Sequence, residues 1–151
     1  MNRILVLFLF FIFFPLLCFA PPEWKEDRFL ELKKDEFFVM LFRTDGDAGT
    51  SVVKRLYFRW TLHKNNGLVM HLNYDYFPHQ FILYEDYRRN CYKIPLFKPE
   101  SRREAPYFMV CFKDYHRSKK IATLKYYIYD GDKNFEIIDR RKVANGGFGA
   151  N

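Results

Sequence analysis

Short aromatic and β-branched runs alternate with polar turns along most of this chain, a pattern typical of antiparallel β-structure. From Glu36 onward the pattern predicts about eight strands, among them the runs EFFVMLFR, SVVKRLYFRWTLH and KIATLKYYIYD. The connections between the runs are short, which favours a single antiparallel meander. We therefore predict an all-β fold, either a sandwich or a small up-and-down barrel.

The run that ends at His63 and the run that follows it predict a hairpin. The turn sequence KNNG suits a type I turn in which Gly67 occupies the left-handed bulge position. In this interpretation His63 and His71 face outward. The resulting register places the apolar faces of both strands together, because it pairs Leu62 with Leu68, Trp60 with Met70, Phe58 with Leu72 and Leu56 with Tyr74.

The runs NCYKIPLF and APYFMVCFKD predict a second hairpin. The positions of its two cysteines suggest the register in which the strands pair. Setting Cys91 opposite Cys111 also pairs Tyr92 with Val110 and Ile94 with Phe108, so that apolar residues share one face. We expect a disulfide between Cys91 and Cys111, which the loop-entropy model values at about 3 kcal/mol; two separate buried thiols are the alternative. Pro95 cannot donate to a ladder, so one of these strands is an edge or is bulged.

The first twenty residues, MNRILVLFLFFIFFPLLCFA, have the layout of a secretory signal. Pro21 follows the small residue Ala20 and disfavours cleavage at that bond, so two alternatives stay open. One is an uncleaved membrane anchor, and the other is a lipoprotein signal with acylation at Cys18. All three interpretations predict an exported, extracytoplasmic protein that is secreted, periplasmic or tethered to a membrane.

The rest of the chain divides by composition. Residues 21–35 are dense in charge and predict either a linker or a short helix, whereas residues 36–142 form the β-rich domain. Residues 143–151 contain three glycines and little to bury, so we predict a flexible tail. An even pair of cysteines in an exported domain supports a disulfide framework.

The net charge of +7 and the pI near 9.3 favour anionic partners. Basic residues occur in short clusters at strand ends and in loops, where several could gather at one end of the fold. The alternative is scattered charge that serves solubility. The export signal disfavours nucleic acid as the partner, and the oligomeric state is left open. The predicted anion-binding residues are Arg88, Arg89, Arg102, Arg103, Lys119 and Lys120.

Catalytic and metal-binding patterns are weak. The serines do not stand in a nucleophile-elbow motif, and disulfide formation would remove the mature thiols. The histidines at positions 63, 71, 79 and 116 are predicted to be surface residues without the spacing of a metal site. The acidic turns that begin at Asp45 and Asp130 fail the calcium-loop pattern. We therefore predict no metal and no cofactor.

These features favour a non-catalytic exported binding or assembly module that contacts a protein or an anionic surface through basic loops. The first alternative is a lipocalin-like carrier of a small apolar ligand, although the glycine-x-tryptophan signature of that superfamily is missing around Trp24. A hydrolase that uses a histidine and a carboxylate is a third hypothesis. In the carrier, the ligand would be lined by Phe58, Trp60, Met70, Leu72, Ile94 and Phe108.

Overall fold

The structure, a computed structural model, describes residues 23–45, 50–86, 88–98, 104–131 and 135–144. These residues form nine strands, and they include no helix that could cross a membrane. The strands are β1 (Glu26–Lys33), β2 (Phe37–Asp45), β3 (Ser51–Lys64), β4 (Gly67–Tyr74), β5 (Phe77–Tyr84), β6 (Cys91–Pro95), β7 (Tyr107–His116), β8 (Ile121–Tyr129) and β9 (Phe135–Val143).

The strands form two antiparallel sheets that pack as a sandwich, which confirms the all-β fold class. The first sheet has the order β1-β8-β7-β6, and the second has the order β5-β4-β3-β2-β9. Consecutive strands pair from β2 to β5 and from β6 to β8, as a meander requires. The chain changes sheet between β1 and β2, between β5 and β6, and between β8 and β9, so the meander is interrupted three times.

Neither a linker nor a short helix, the two alternatives predicted for residues 21–35, is correct for Glu26–Lys33, because this segment is the edge strand β1 and pairs along its whole length with β8. Leu30 and Leu32 point into the core, whereas Phe29, which precedes Leu30, is 68% exposed, and Glu31 between the two leucines is also exposed. The alternation of a strand is therefore present in this segment. The charged residues around it obscure it in the sequence.

The β6–β7 hairpin has the predicted register. Cys91 pairs with Cys111, Tyr92 with Val110 and Ile94 with Phe108. The two sulfur atoms lie at disulfide-bonding distance, 2.06 Å apart. β6 is an edge strand of the first sheet, and this position accommodates Pro95, which cannot donate a ladder hydrogen bond.

The β3–β4 hairpin has the predicted register up to Trp60, which pairs with Met70, but the predicted turn is wrong. Asn65 and Asn66 have φ angles of 52° and 59°, as a two-residue type I′ turn requires. Gly67 instead begins β4 beside β5, where a Cβ atom would lie 3.0 Å from Ile82 Cγ2.

The shorter turn leaves one extra residue, Thr61, in β3, so Leu62 pairs with Val69 rather than with Leu68. This β-bulge reverses the faces beyond it. Leu62 is 51% exposed, and His63, predicted to face outward, lies opposite the buried Leu68.

The core lies between the two sheets and consists of large side chains in direct contact. Phe58 and Phe108 face each other across the sheets, with ring centroids 5.6 Å apart. Trp60 Nε1 donates a hydrogen bond of 2.9 Å to the carbonyl of Leu32 in the other sheet. Burial of a large apolar side chain contributes roughly 1.5–3 kcal/mol, so this interior holds the sandwich together and positions its turns.

Candidate binding surface at the basic end

Four connections meet at one end of the sandwich, which we call the basic end. It consists of the turns at residues 33–36, 64–67 and 117–120 and the β5–β6 loop at residues 85–90. Lys33 pairs with Ile121, which places the first turn beside the β7–β8 turn. The amide of Glu85 donates a hydrogen bond of 3.0 Å to the carbonyl of Asn66, which joins the loop to the β3–β4 turn.

The basic end carries an excess of cations, all of them exposed. Asp35, Glu36 and Asp86 of this end each have a hydrogen-bond or ion-pair partner, and none of its four described acidic side chains forms an ion pair with a lysine or with Arg88. Asp35 pairs with Arg59 at 3.9 Å, and Glu36 accepts a hydrogen bond from the amide of Lys33 at 2.9 Å. Glu85 faces His63, and Asp86 pairs with Arg89. The basic residues of this end are Lys33, Lys34, Lys64, Arg88, Arg89, Arg117, Lys119 and Lys120.

The β7–β8 turn contributes the densest positive charge. Its backbone is closed by a hydrogen bond of 3.4 Å from the amide of Lys120 to the carbonyl of Arg117, and Lys120 has a φ angle of 51°. Arg117, Lys119 and Lys120 form no ion pair with the residues that the structure describes. Their charges therefore face solvent without compensation.

The β5–β6 loop carries two of the predicted anion-binding arginines, Arg88 and Arg89, and these two side chains have different contacts. Asp86 Oδ1 accepts hydrogen bonds of 3.0 Å from the amides of both Arg88 and Arg89, and Asp86 Oδ2 accepts another from Arg89 Nη2. The hydrogen bond from the Arg89 side chain is the main cause that lowers the pKa of Asp86. Arg89 also lies over the Tyr84 ring, at 4.5 Å from its centroid. Arg89 thus fixes the loop, and Arg88 remains available.

The disulfide anchors this loop to the first sheet. Cys91 directly follows the loop, and the amide of Phe112 donates a hydrogen bond of 2.7 Å to the carbonyl of Asn90. The covalent link to Cys111 therefore holds the loop that carries Arg88 beside β7.

Only part of the predicted anion-binding set meets here. Arg88, Arg89, Lys119 and Lys120 lie at the basic end, whereas Arg102 and Arg103 lie outside the described residues. The described parts of the β6–β7 connection, up to Lys98 and from Glu104, lie at the opposite end. The sequence did not assign Lys64 to this surface, because the position of the β3–β4 turn beside the β5–β6 loop depends on a contact between Asn66 and Glu85.

The opposite end also carries cations, and acidic side chains pair with four of them, whereas the exposed Lys98 has no ion pair among the described residues. The ion pairs there are Lys25–Asp130 at 3.3 Å, Arg43–Glu136 at 3.5 Å, Lys54–Asp75 at 3.1 Å and the close pair Lys93–Glu104.

His63 lies beneath the basic end, where its side chain is only 10% exposed. Its ring stacks on Tyr115 with centroids 3.9 Å apart. Nε2 is buried and lies 3.8 Å from Glu85 Oε1, with no hydrogen-bond partner among the described residues. The prediction of a surface histidine is wrong at this position, because the bulge at Thr61 turns the ring inward.

One serine and one histidine also meet at the basic end. Ser118 Oγ lies 3.2 Å from His116 Nδ1 in the exposed β7–β8 turn. Among the described residues, the structure shows no carboxylate paired with His116. This contact lacks the third group that orients the base in a nucleophilic triad.

The six residues predicted to line a carrier's ligand are all in the core. Their exposed fractions do not exceed 3%. Phe58 packs on Phe108, and Trp60 packs against Tyr115 with centroids 5.7 Å apart. Their neighbours are thus other core side chains. The set is Phe58, Trp60, Met70, Leu72, Ile94 and Phe108.

The described residues contain no group of three or more histidine, cysteine or acidic side chains placed to hold a metal ion. Comparisons of the chain with protein-family models, with curated proteins and with solved structures find no match.

Proposed function

We propose that this protein is a non-catalytic exported binding module that contacts an anionic partner through its basic end. The observation that carries the proposal is the set of seven exposed cations at this end that have no ion pair within the described chain. They are Lys33, Lys34, Lys64, Arg88, Arg117, Lys119 and Lys120.

The electrostatic argument depends on how these charges are spread. They come from four connections and both sheets, so they present a broad field rather than a pocket for one small anion. Exposed charges interact over about 10 Å at an ionic strength of 0.1 M. A polyanion or an anionic surface would contact several of them at once, and its binding would weaken steeply as salt is added.

Two features support export. Cys91 and Cys111 lie at disulfide distance, which is compatible with an oxidising extracytoplasmic compartment. The apolar segment at the start of the chain has the layout of a secretory signal. The module would therefore meet its partner outside the cytoplasm.

The test measures binding of the full-length protein to immobilised dextran sulfate at several salt concentrations. We expect the Lys119→Ser, Lys120→Ser double variant to raise Kd about tenfold and to reduce the salt dependence. The matched control is Arg43→Ser with Lys98→Ser, which removes the same charge from exposed sites at the opposite end. An equal loss in both double variants would show that net charge alone drives binding and would refute a site at the basic end.

A further inference from the structure

The outer face of the second sheet contains a groove that is separate from the basic turns. Its volume is about 560 Å³, within the range of small-molecule sites. The side chains that carry the argument come from β2, β3, β4 and β5. They are Phe37, Tyr57, Arg59, His71, Asn73 and Gln80. We call this surface the sheet groove.

The register arranges the polar groups of the sheet groove in two neighbouring rows. Arg59, His71 and Gln80 are directly paired across β3, β4 and β5. In the neighbouring row, which also lies on the outer face, Tyr57 pairs with Asn73 and Asn73 pairs with Pro78. Neighbouring strands are about 4.8 Å apart, and alternate residues in a strand are about 7 Å apart. Hydrogen-bonding groups therefore recur on the scale of one sugar ring.

These side chains can exchange several hydrogen bonds with a ligand. The carboxamides of Asn73 and Gln80 each offer donors and an acceptor, and the imidazole of His71 offers one of each. Among the described residues, the structure shows no side-chain hydrogen bond for His71, Asn73 or Gln80. The hydrogen-bond donors and acceptors of these three side chains are therefore available to a ligand in the sheet groove.

The charge in the sheet groove is nearly balanced, which distinguishes it from the basic end. Arg59 supplies the one permanent charge of the lining, and Asp35 lies 3.9 Å from it. The same guanidinium covers the Phe37 ring at 4.8 Å. The rings of Phe37 and Tyr57 add apolar surface, with centroids 6.1 Å apart. A neutral ligand with both hydroxyl groups and apolar faces fits this lining best.

We propose that the sheet groove binds a neutral oligosaccharide. Vicinal hydroxyls of the sugar would bind the carboxamides and the imidazole, and its C–H groups would pack against Tyr57. This site extends the proposed function, because it would give the module a second ligand class that is independent of positive charge.

The test uses calorimetry and ligand-observed NMR on the full-length protein. The probes are the neutral trisaccharides of glucose, mannose, galactose, xylose and N-acetylglucosamine. Asn73→Ala and Gln80→Ala should each weaken binding of the recognised trisaccharide about three- to tenfold, as the loss of one or two hydrogen bonds predicts. The matched control is Thr123→Ala on the outer face of the first sheet, which should leave Kd within about twofold.

The Lys119→Ser, Lys120→Ser variant separates the two sites. It should keep full trisaccharide affinity while its Kd for dextran sulfate rises about tenfold, so failure of one proposal leaves the other standing. Absence of binding to every trisaccharide would overturn the sheet groove as a sugar site. Binding that survives both amide substitutions, or that falls with the basic turn, would overturn it as well.

Discussion

Both ends of the sandwich carry exposed cations, but the ends differ in whether acidic side chains pair with those cations. At the opposite end an acidic side chain accompanies Lys25, Arg43, Lys54 and Lys93. At the basic end Asp35, Glu36 and Asp86 are bound by Arg59, by the Lys33 amide and by Arg89, and Glu85 lies 3.8 Å from His63. The comparison shows that the arrangement of acidic side chains, rather than the number of basic ones, distinguishes the proposed binding surface from the opposite end.

The largest stability effect should come from the disulfide, which anchors the basic end covalently. Replacing both Cys91 and Cys111 by serine should lower the free energy of unfolding by about 3 kcal/mol, because the unfolded chain regains the entropy of the open loop. Urea unfolding with and without reductant measures this loss, and the variant should not respond to reductant. An unchanged unfolding midpoint in the wild type after reduction would contradict the prediction.

The next effect concerns two buried side-chain hydrogen bonds, one near each end of the sandwich, that join the two layers. Trp60 Nε1 donates to the Leu32 carbonyl near the basic end, and the Tyr74 hydroxyl donates to the Leu96 carbonyl at the opposite end. Trp60→Phe and Tyr74→Phe should each cost about 1–3 kcal/mol, because each leaves a buried carbonyl without this donor. Chemical denaturation measures both. A cost confined to one variant would show that only one end depends on such a bond.

Alkaline pH should weaken the sandwich through two buried tyrosines. Burial raises the pKa of Tyr74, and burial together with the hydrogen bond to Glu26 raises the pKa of Tyr126. The folded state holds these protons more tightly, so their contribution is complete below the unfolded pKa near 10 and declines as the pH rises above it. The decline reaches at most about 1.4 kcal/mol per pH unit for each tyrosine.

Urea unfolding between about pH 9 and about pH 11 measures this decline. Tyr74→Phe and Tyr126→Phe should each reduce the dependence of the unfolding free energy on pH, because each variant removes one buried hydroxyl that titrates. A slope that both variants leave unchanged would assign the alkaline loss to other groups.

The smallest expected effect comes from removing one acidic partner at the opposite end, which makes that end more similar to the basic end. Asp75→Asn removes the acidic partner of Lys54 at the opposite end. Stability should change by no more than about 0.5 kcal/mol, because the pair is partly exposed. Binding to dextran sulfate should strengthen about twofold, since one cation becomes available. No gain in affinity would mean that isolated cations at the opposite end do not reach the polyanion.

The sequence predicted the strand register where that register depends only on residues within one hairpin. The β6–β7 register was correct because the cysteines and the apolar face of Ile94 and Phe108 require the same pairing. The β3–β4 register was correct only up to Trp60, because two asparagines accepted positive φ angles and closed a shorter turn than the one expected before glycine.

The composition of the basic end could not be predicted in full. The sequence marks basic clusters, but which clusters meet depends on where the chain changes sheet, and no local pattern encodes those three changes. The sheet groove was missed for a related reason. Its rows join Arg59 to His71 and His71 to Gln80, and the second pairing needs the partner strand of β4 to be known.

The bulge in β3 has a consequence for how the length of this chain can vary. Thr61 is the extra residue between the Trp60–Met70 and Leu62–Val69 pairs, so deleting it would join two segments that already have the same alternation. Deletion of Arg59 would instead shift Phe58 and the residues before it to the opposite faces. Thr61 is therefore the position in β3 where a single-residue deletion should be tolerated.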